Sequence, residues 1–132
     1  MTLPISVTLS AASYPSTVVS VAFKNQSPST CYEVANYALM TNNSPRDNFQ
    51  ITNRATNEEA VYTGPAIKRQ LFYTPIAPGE TKNVEVSLES MYKIPKGQNS
   101  VQYIDTISYR ECDRISKEYS DAILSNTIDI KV

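Results

Sequence analysis

The chain has 132 residues, is 41% hydrophobic and 19% charged, and carries a formal net charge of −1. That is length for one domain, residues 1–132, with its own core, and the charge gives no pull toward nucleic acid or an anionic membrane. There is no histidine, which excludes a Ser-His-Asp triad, a Cys-His pair and a His-Glu-x-x-His zinc site, and no apolar run approaches the roughly 18 residues of a membrane span.

Met1-Thr2-Leu3-Pro4-Ile5 lacks the basic start and apolar stretch of a signal peptide. The protein is therefore cytoplasmic or separated from its leader; a secreted or extracellular setting is slightly favoured. In chain order, Ile5, Val7 and Leu9 alternate with Ser6, Thr8 and Ser10, and Val19, Val21 and Phe23 repeat the pattern, so both runs read as half-buried strands. The second ends at the turn-forming Asn25-Gln26-Ser27-Pro28-Ser29. Residues 32–40 fit a helical stripe through Val34, Ala35, Ala38, Leu39 and Met40, but the polar flanks favour a strand. Residues 42–47 form a loop, Phe49 and Ile51 a short strand, and Thr56-Asn57-Glu58-Glu59 a hairpin tip leading to Ala60-Val61-Tyr62.

Residues 71–76 and 82–88 are the next two strands, joined by Ala77-Pro78-Gly79-Glu80; Val84, Val86 and Leu88 share one face, with Glu85 and Ser87 on the other. Val101, Tyr103, Asp105 and Ile107 mark a long late strand. Residues 113–121, charged and poor in β-formers, suit a helical turn or two, and residues 123–132 close the domain with Ile128, Ile130 and Val132 in alternation. This spacing predicts an all-β fold, an immunoglobulin-like antiparallel β-sandwich of about seven to nine strands, without the buried tryptophan of antibody domains, since the chain has none.

Cys31 follows the second strand and Cys112 the long late one. In an immunoglobulin-like topology both loops lie at one end, where the cysteines either form a disulfide worth about 4 kcal/mol or remain two separate thiols. Two cysteines without histidine leave a zinc site short of ligands; no metal site, cofactor or catalytic residue is expected. Asn25-Gln26-Ser27 and Asn42-Asn43-Ser44 match the N-glycosylation pattern.

Four stretches carry a resemblance: Asp47-Asn48-Phe49-Gln50-Ile51-Thr52-Asn53, Tyr62-Thr63-Gly64-Pro65-Ala66-Ile67-Lys68-Arg69, Ile76-Ala77-Pro78-Gly79-Glu80-Thr81 and Leu88-Glu89-Ser90-Met91-Tyr92. Their order, from about Val18 to Tyr92, resembles the N-terminal pro-domain of deuterolysin-type zinc metalloproteases; Gly-Pro-x-x-Lys-Arg is its distinctive part. The catalytic zinc helix of that family has no counterpart here, so the resemblance implies no protease activity. It implies instead a non-catalytic protease-binding module, a pro-domain-like inhibitor or folding chaperone, with a metalloprotease as protein partner.

The candidate partner-binding surface is Tyr62, Gly64, Pro65, Lys68, Arg69, Phe72 and Tyr73. Gly64 and Pro65 break the strand, so that Lys68 and Arg69 project from a loop on a rigid scaffold, where they either enter an acidic cleft or lie along it as an added strand. The competing reading is an ordinary edge crossing with a solvated Lys-Arg pair. Nine tyrosines against three phenylalanines suit either an interface or simple strand preference. The alternative function is a structural or adhesive β-sandwich: a cell-surface, carbohydrate-binding or assembly subunit.

Overall fold

The computed structural model describes residues 3–11, 17–39, 46–65, 72–114 and 116–132. Among these residues lie β1 (Ile5–Ala11), β2 (Val18–Asn25), β3 (Tyr32–Ala35), a helical turn α1 (Asn36–Leu39), β4 (Phe49–Asn53), β5 (Val61–Tyr62), β6 (Tyr73–Ile76), β7 (Thr81–Ser87), β8 (Tyr92–Lys93), β9 (Gln98–Glu111) and β10 (Glu118–Lys131). The described residues are thus all-β, with ten strands in three sheets: β1-β2-β7, then β10-β9-β3-β6 with β4 also on β9, and the small β5-β8 pair. The strand beyond the seven to nine expected is β8, whose two residues are too few to leave an alternating pattern; β5, equally short, is the run that follows the Thr56–Glu59 turn and pairs with β8. No helix among the described residues is long and apolar enough to cross a membrane.

The period-two runs become strands because each has one face to bury. Ile5, Val7 and Leu9 of β1, Val19, Val21 and Phe23 of β2, and Val86 of β7 enter one core with Val34, Phe49, Ile51, Val101, Tyr103, Ile107, Ile123 and Ile130 of the second sheet. Phe23 meets Tyr103 edge to face at 5.6 Å between centroids, and Phe49 meets the same ring at 5.6 Å. Each fully buried large apolar side chain contributes about 1.5–3 kcal/mol of transfer free energy.

The ambiguity of residues 32–40 has a structural cause. Tyr32 pairs with Glu111 and Val34 with Tyr109, and Phe49 through Asn53 pair with Tyr103 through Asn99 of the same strand, in the same direction. β3 and β4 are therefore two halves of one strand, parted by an excursion that begins with α1, so both periodicities are real. Across that gap the inward-turned amides of β9 find substitutes for a neighbouring strand. Ile104 N–H donates to Asn48 O (2.9 Å), Thr106 N–H to Asp105 Oδ1 (2.8 Å) and Ser108 N–H to Tyr37 Oη (3.0 Å). Arg46 holds Asp105 through Nε and Nη2 at 3.0 and 3.1 Å, with its guanidinium 4.4 Å from the Tyr37 ring centroid.

Among the described residues of 113–121, expected to suit a helical turn or two, no helix forms. Tight i+3 bonds, Arg114 N–H to Glu111 O and Lys117 N–H to Arg114 O, turn the chain, and β10 begins at Glu118 opposite Arg110. Pairing with a long partner strand overrides the weak local β-preference of this segment.

The cysteines form a disulfide, with Cα atoms 5.4 Å apart and a sequence separation of 81. Tyr32 lies opposite Glu111, and Cys112 N–H donates to Cys31 O at 3.0 Å, so the bond extends the β3–β9 ladder by one pair. It joins neighbouring strands of one sheet rather than two facing sheets.

Two asparagines tie the sheets together. Asn25, fully buried, donates from Nδ2 to Thr30 O and Ile76 O, both at 2.8 Å, and accepts Ser27 N–H at Oδ1 (2.9 Å). This glycosylation match is thus committed internally; the other, at Asn42, lies outside the described residues. On the opposite side, β10 shifts register between Leu124 and Thr127. There Asn126 accepts Leu9 N–H at Oδ1 (2.7 Å) and donates from Nδ2 to Leu9 O (3.1 Å).

The turn between β6 and β7 has Pro78 and Gly79 at its centre and closes with Glu80 N–H to Ala77 O (2.9 Å), the placement a type II turn requires. Gly79 has φ +76°, and a Cβ built there meets nothing within 4 Å. Gly79→Ala is therefore expected to cost about 1 kcal/mol from backbone strain alone, and Gly79→Asn less, because asparagine tolerates this region. Urea unfolding checks this; an alanine variant as stable as the parent would refute it. Ala77 N–H also donates to Glu80 Oε1 (2.8 Å), which, with a smaller contribution from Lys82, lowers that carboxyl below its ordinary range.

Candidate binding surface

β5 stops at Tyr62, and the three residues beyond it are pinned rather than free. Thr63 N–H and Gly64 N–H both donate to Met91 O, at 2.8 and 3.2 Å, and the Tyr62 hydroxyl donates to Pro65 O at 2.9 Å. Glycine lets the chain pass close to the Tyr62 ring: a Cβ on Gly64 would lie 2.6 Å from the Tyr62 hydroxyl oxygen and 2.7 Å from its Cζ, and would displace that end of the side chain. The Tyr62 ring packs edge-on against Tyr92, with centroids 5.5 Å apart.

Tyr92 is the anchor beneath. Its hydroxyl accepts Phe49 N–H (3.0 Å) and donates to Asp47 Oδ1 (2.8 Å). Burial, with Asp47 adding to it, pushes this phenol far above its ordinary value, so it remains a donor throughout the neutral range.

Phe72 and Tyr73 are held by different partners. Asn36 N–H donates to Phe72 O (2.9 Å), and Phe72 N–H donates to Asn36 Oδ1 (3.2 Å); this prolongs the β3–β6 ladder by one position and leaves the Phe72 ring half exposed, at 49%. The Tyr73 ring lies under the Arg110 guanidinium, 4.0 Å from its centroid, and Arg110 Nε donates to Glu33 Oε1 (2.8 Å). Tyr73 is thereby engaged by its own sheet, and its hydroxyl is buried.

Lys68 and Arg69 lie outside the described residues, so of the predicted surface the structure describes Tyr62, Gly64, Pro65, Phe72 and Tyr73. These form two anchored flanks: the first is fixed to Met91 and Tyr92, the second to Asn36 and Arg110. Gly64 was legible as a strand breaker, but its contact with the Tyr62 ring was not. Asn36 and Arg110 gave no signal in the sequence, because their roles depend on residues far away in the chain. Among the described residues there is no group of three or more His, Cys, Asp or Glu side chains placed to hold a metal ion.

No protein-family model matches the chain, and no curated protein matches it in sequence.

Proposed function

We propose that this chain is an immunoglobulin-like sandwich that acts without catalysis, binding a metalloprotease in the manner of a pro-domain and occluding its cleft. The sandwich reading is supported by strand order. β1-β2-β7 against β10-β9-β3 follows the A-B-E and G-F-C sheets of that architecture, with β6 as an additional strand beside β3. The observation that carries the binding reading is the pinned Tyr62–Pro65 segment. Gly64-Pro65 opens the most distinctive stretch of the pro-domain resemblance, and its rigid anchoring lowers the ordering cost of presenting a loop to a partner.

Titrating the protein into an activity assay of a mature deuterolysin-type metalloprotease, followed by size exclusion of the mixture, tests this. The expected result is loss of activity at one inhibitor per enzyme with a co-eluting complex, and about tenfold or greater weakening when Lys68→Ala and Arg69→Ala are combined. Full activity without complex formation, across several such proteases, would refute it and leave the adhesive sandwich as the reading to pursue.

A further inference from the structure

Sheet edges invite pairing, and folded proteins blunt them. Among the described residues, four of the five outer edges of the two larger sheets are blunted. On β4, Ile51 O accepts Ala60 N–H and Asn53 N–H donates to Glu58 O. On β6, the Asn36–Phe72 bond and the pairing of Val34 with Thr74 set which residues face β3, so Tyr73 and Pro75 face outward and the missing N–H of Pro75 falls on the free side. On β1, the outward groups of Leu9 are both taken by Asn126. β10 is broken by its register shift at the same place.

β7 differs. Leu88 N–H donates to Thr17 O and Asn25 N–H to Glu80 O, at opposite ends of a continuous β2–β7 register. Alternation between them turns the backbone groups of Lys82, Val84 and Val86 toward β2, and those of Thr81, Asn83, Glu85 and Ser87 away from it. No strand among the described residues pairs with that side. It carries no proline and no bulge, and its one lysine, Lys82, lies near the end of the strand, 3.5 Å from Glu80.

We infer that β7 is a homodimer edge, pairing antiparallel with β7 of a second copy about a twofold axis at Val84 to make one continuous six-stranded sheet. The strand complements itself in this register. Thr81 faces the other copy's Ser87, whose carbonyl also accepts from its own Ser90 Oγ at 2.7 Å and keeps one lone pair for the partner. Asn83 faces the other copy's Glu85, so the outward hydrogen-bonding positions meet in reciprocal pairs. On the inner face Lys82 meets Val86, and the two half-buried Val84 side chains meet across the axis as a β-branched pair. No like charges are opposed. Moving the axis to Glu85 would place two glutamates face to face, which disfavours that register.

Sedimentation velocity from micromolar to millimolar concentration tests the pairing. The parent is expected to dimerise reversibly. Asn83→Pro and Glu85→Pro each remove an outward N–H and no bond to β2, as Pro75 does in β6. They should raise the dissociation constant at least about tenfold with little change in thermal midpoint. Independently, Val84→Cys should give a disulfide-linked dimer on mild oxidation, and Ser87→Cys should not, because its partner is Thr81. A parent that stays monomeric throughout, a dimer indifferent to both prolines, or cross-linking through position 87 instead of 84 would each overturn the inference.

Discussion

Replacing both cysteines, Cys31→Ser with Cys112→Ser, is expected to lower the free energy of unfolding by about 3–4 kcal/mol. The bond closes a segment of 81 positions that holds every strand from β3 through β9, so its removal enlarges the unfolded ensemble more than the loss of a short loop would. The native side of the balance should change little, because Cys112 N–H to Cys31 O and the neighbouring Tyr32–Glu111 pair keep the two strands aligned without it. Urea unfolding of the double variant and of the reduced parent should give the same loss, and reductant should have no effect on the double variant. A loss under about 1 kcal/mol would mean that the unfolded chain is already held compact by other contacts.

The second large effect is expected at Asn25. Asn25→Ala should cost about 2–4 kcal/mol, since it leaves Thr30 O and Ile76 O without their donor and Ser27 N–H without its acceptor. Asn25→Asp separates chemistry from shape. Aspartate has nearly the same volume and keeps the acceptor for Ser27, but it lacks both donors and brings a charge to a fully buried position. If the donors matter, aspartate is at least as damaging as alanine; if only the volume matters, aspartate is close to neutral. Thermal unfolding of the two variants decides between these.

The fold was legible wherever one face of a strand is buried and the other wet. β1, β2 and β7 show this: Val19, Val21 and Phe23 alternate in sequence and are buried in turn. It was illegible where a strand takes its stability from a partner rather than from a core. The first turn of β10 is charged, and only its pairing with Arg110 and Tyr109 makes Glu118 and Tyr119 extended. Residues 32–40 misled because a strand and a helical turn succeed each other there without a break. The cysteine positions permitted a disulfide, but its place between neighbouring strands emerged only from the register. In the candidate surface, strand termination at Gly64-Pro65 was readable, whereas the clamps supplied by Met91 and Asn36 were not, since each acts across 27 or more positions of chain.

The Leu9–Asn126 clamp bears on how the molecule is made. The two residues stand 117 positions apart, so during synthesis β1 leaves the ribosome long before Asn126 exists. Until then β1 can rest on β2, with which it pairs along its whole length, but its far edge and part of its apolar stripe have no cover. Assembly ends with a contact of nearly maximal sequence separation, the kind that slows folding and prolongs the interval in which a bare strand edge can meet another nascent chain.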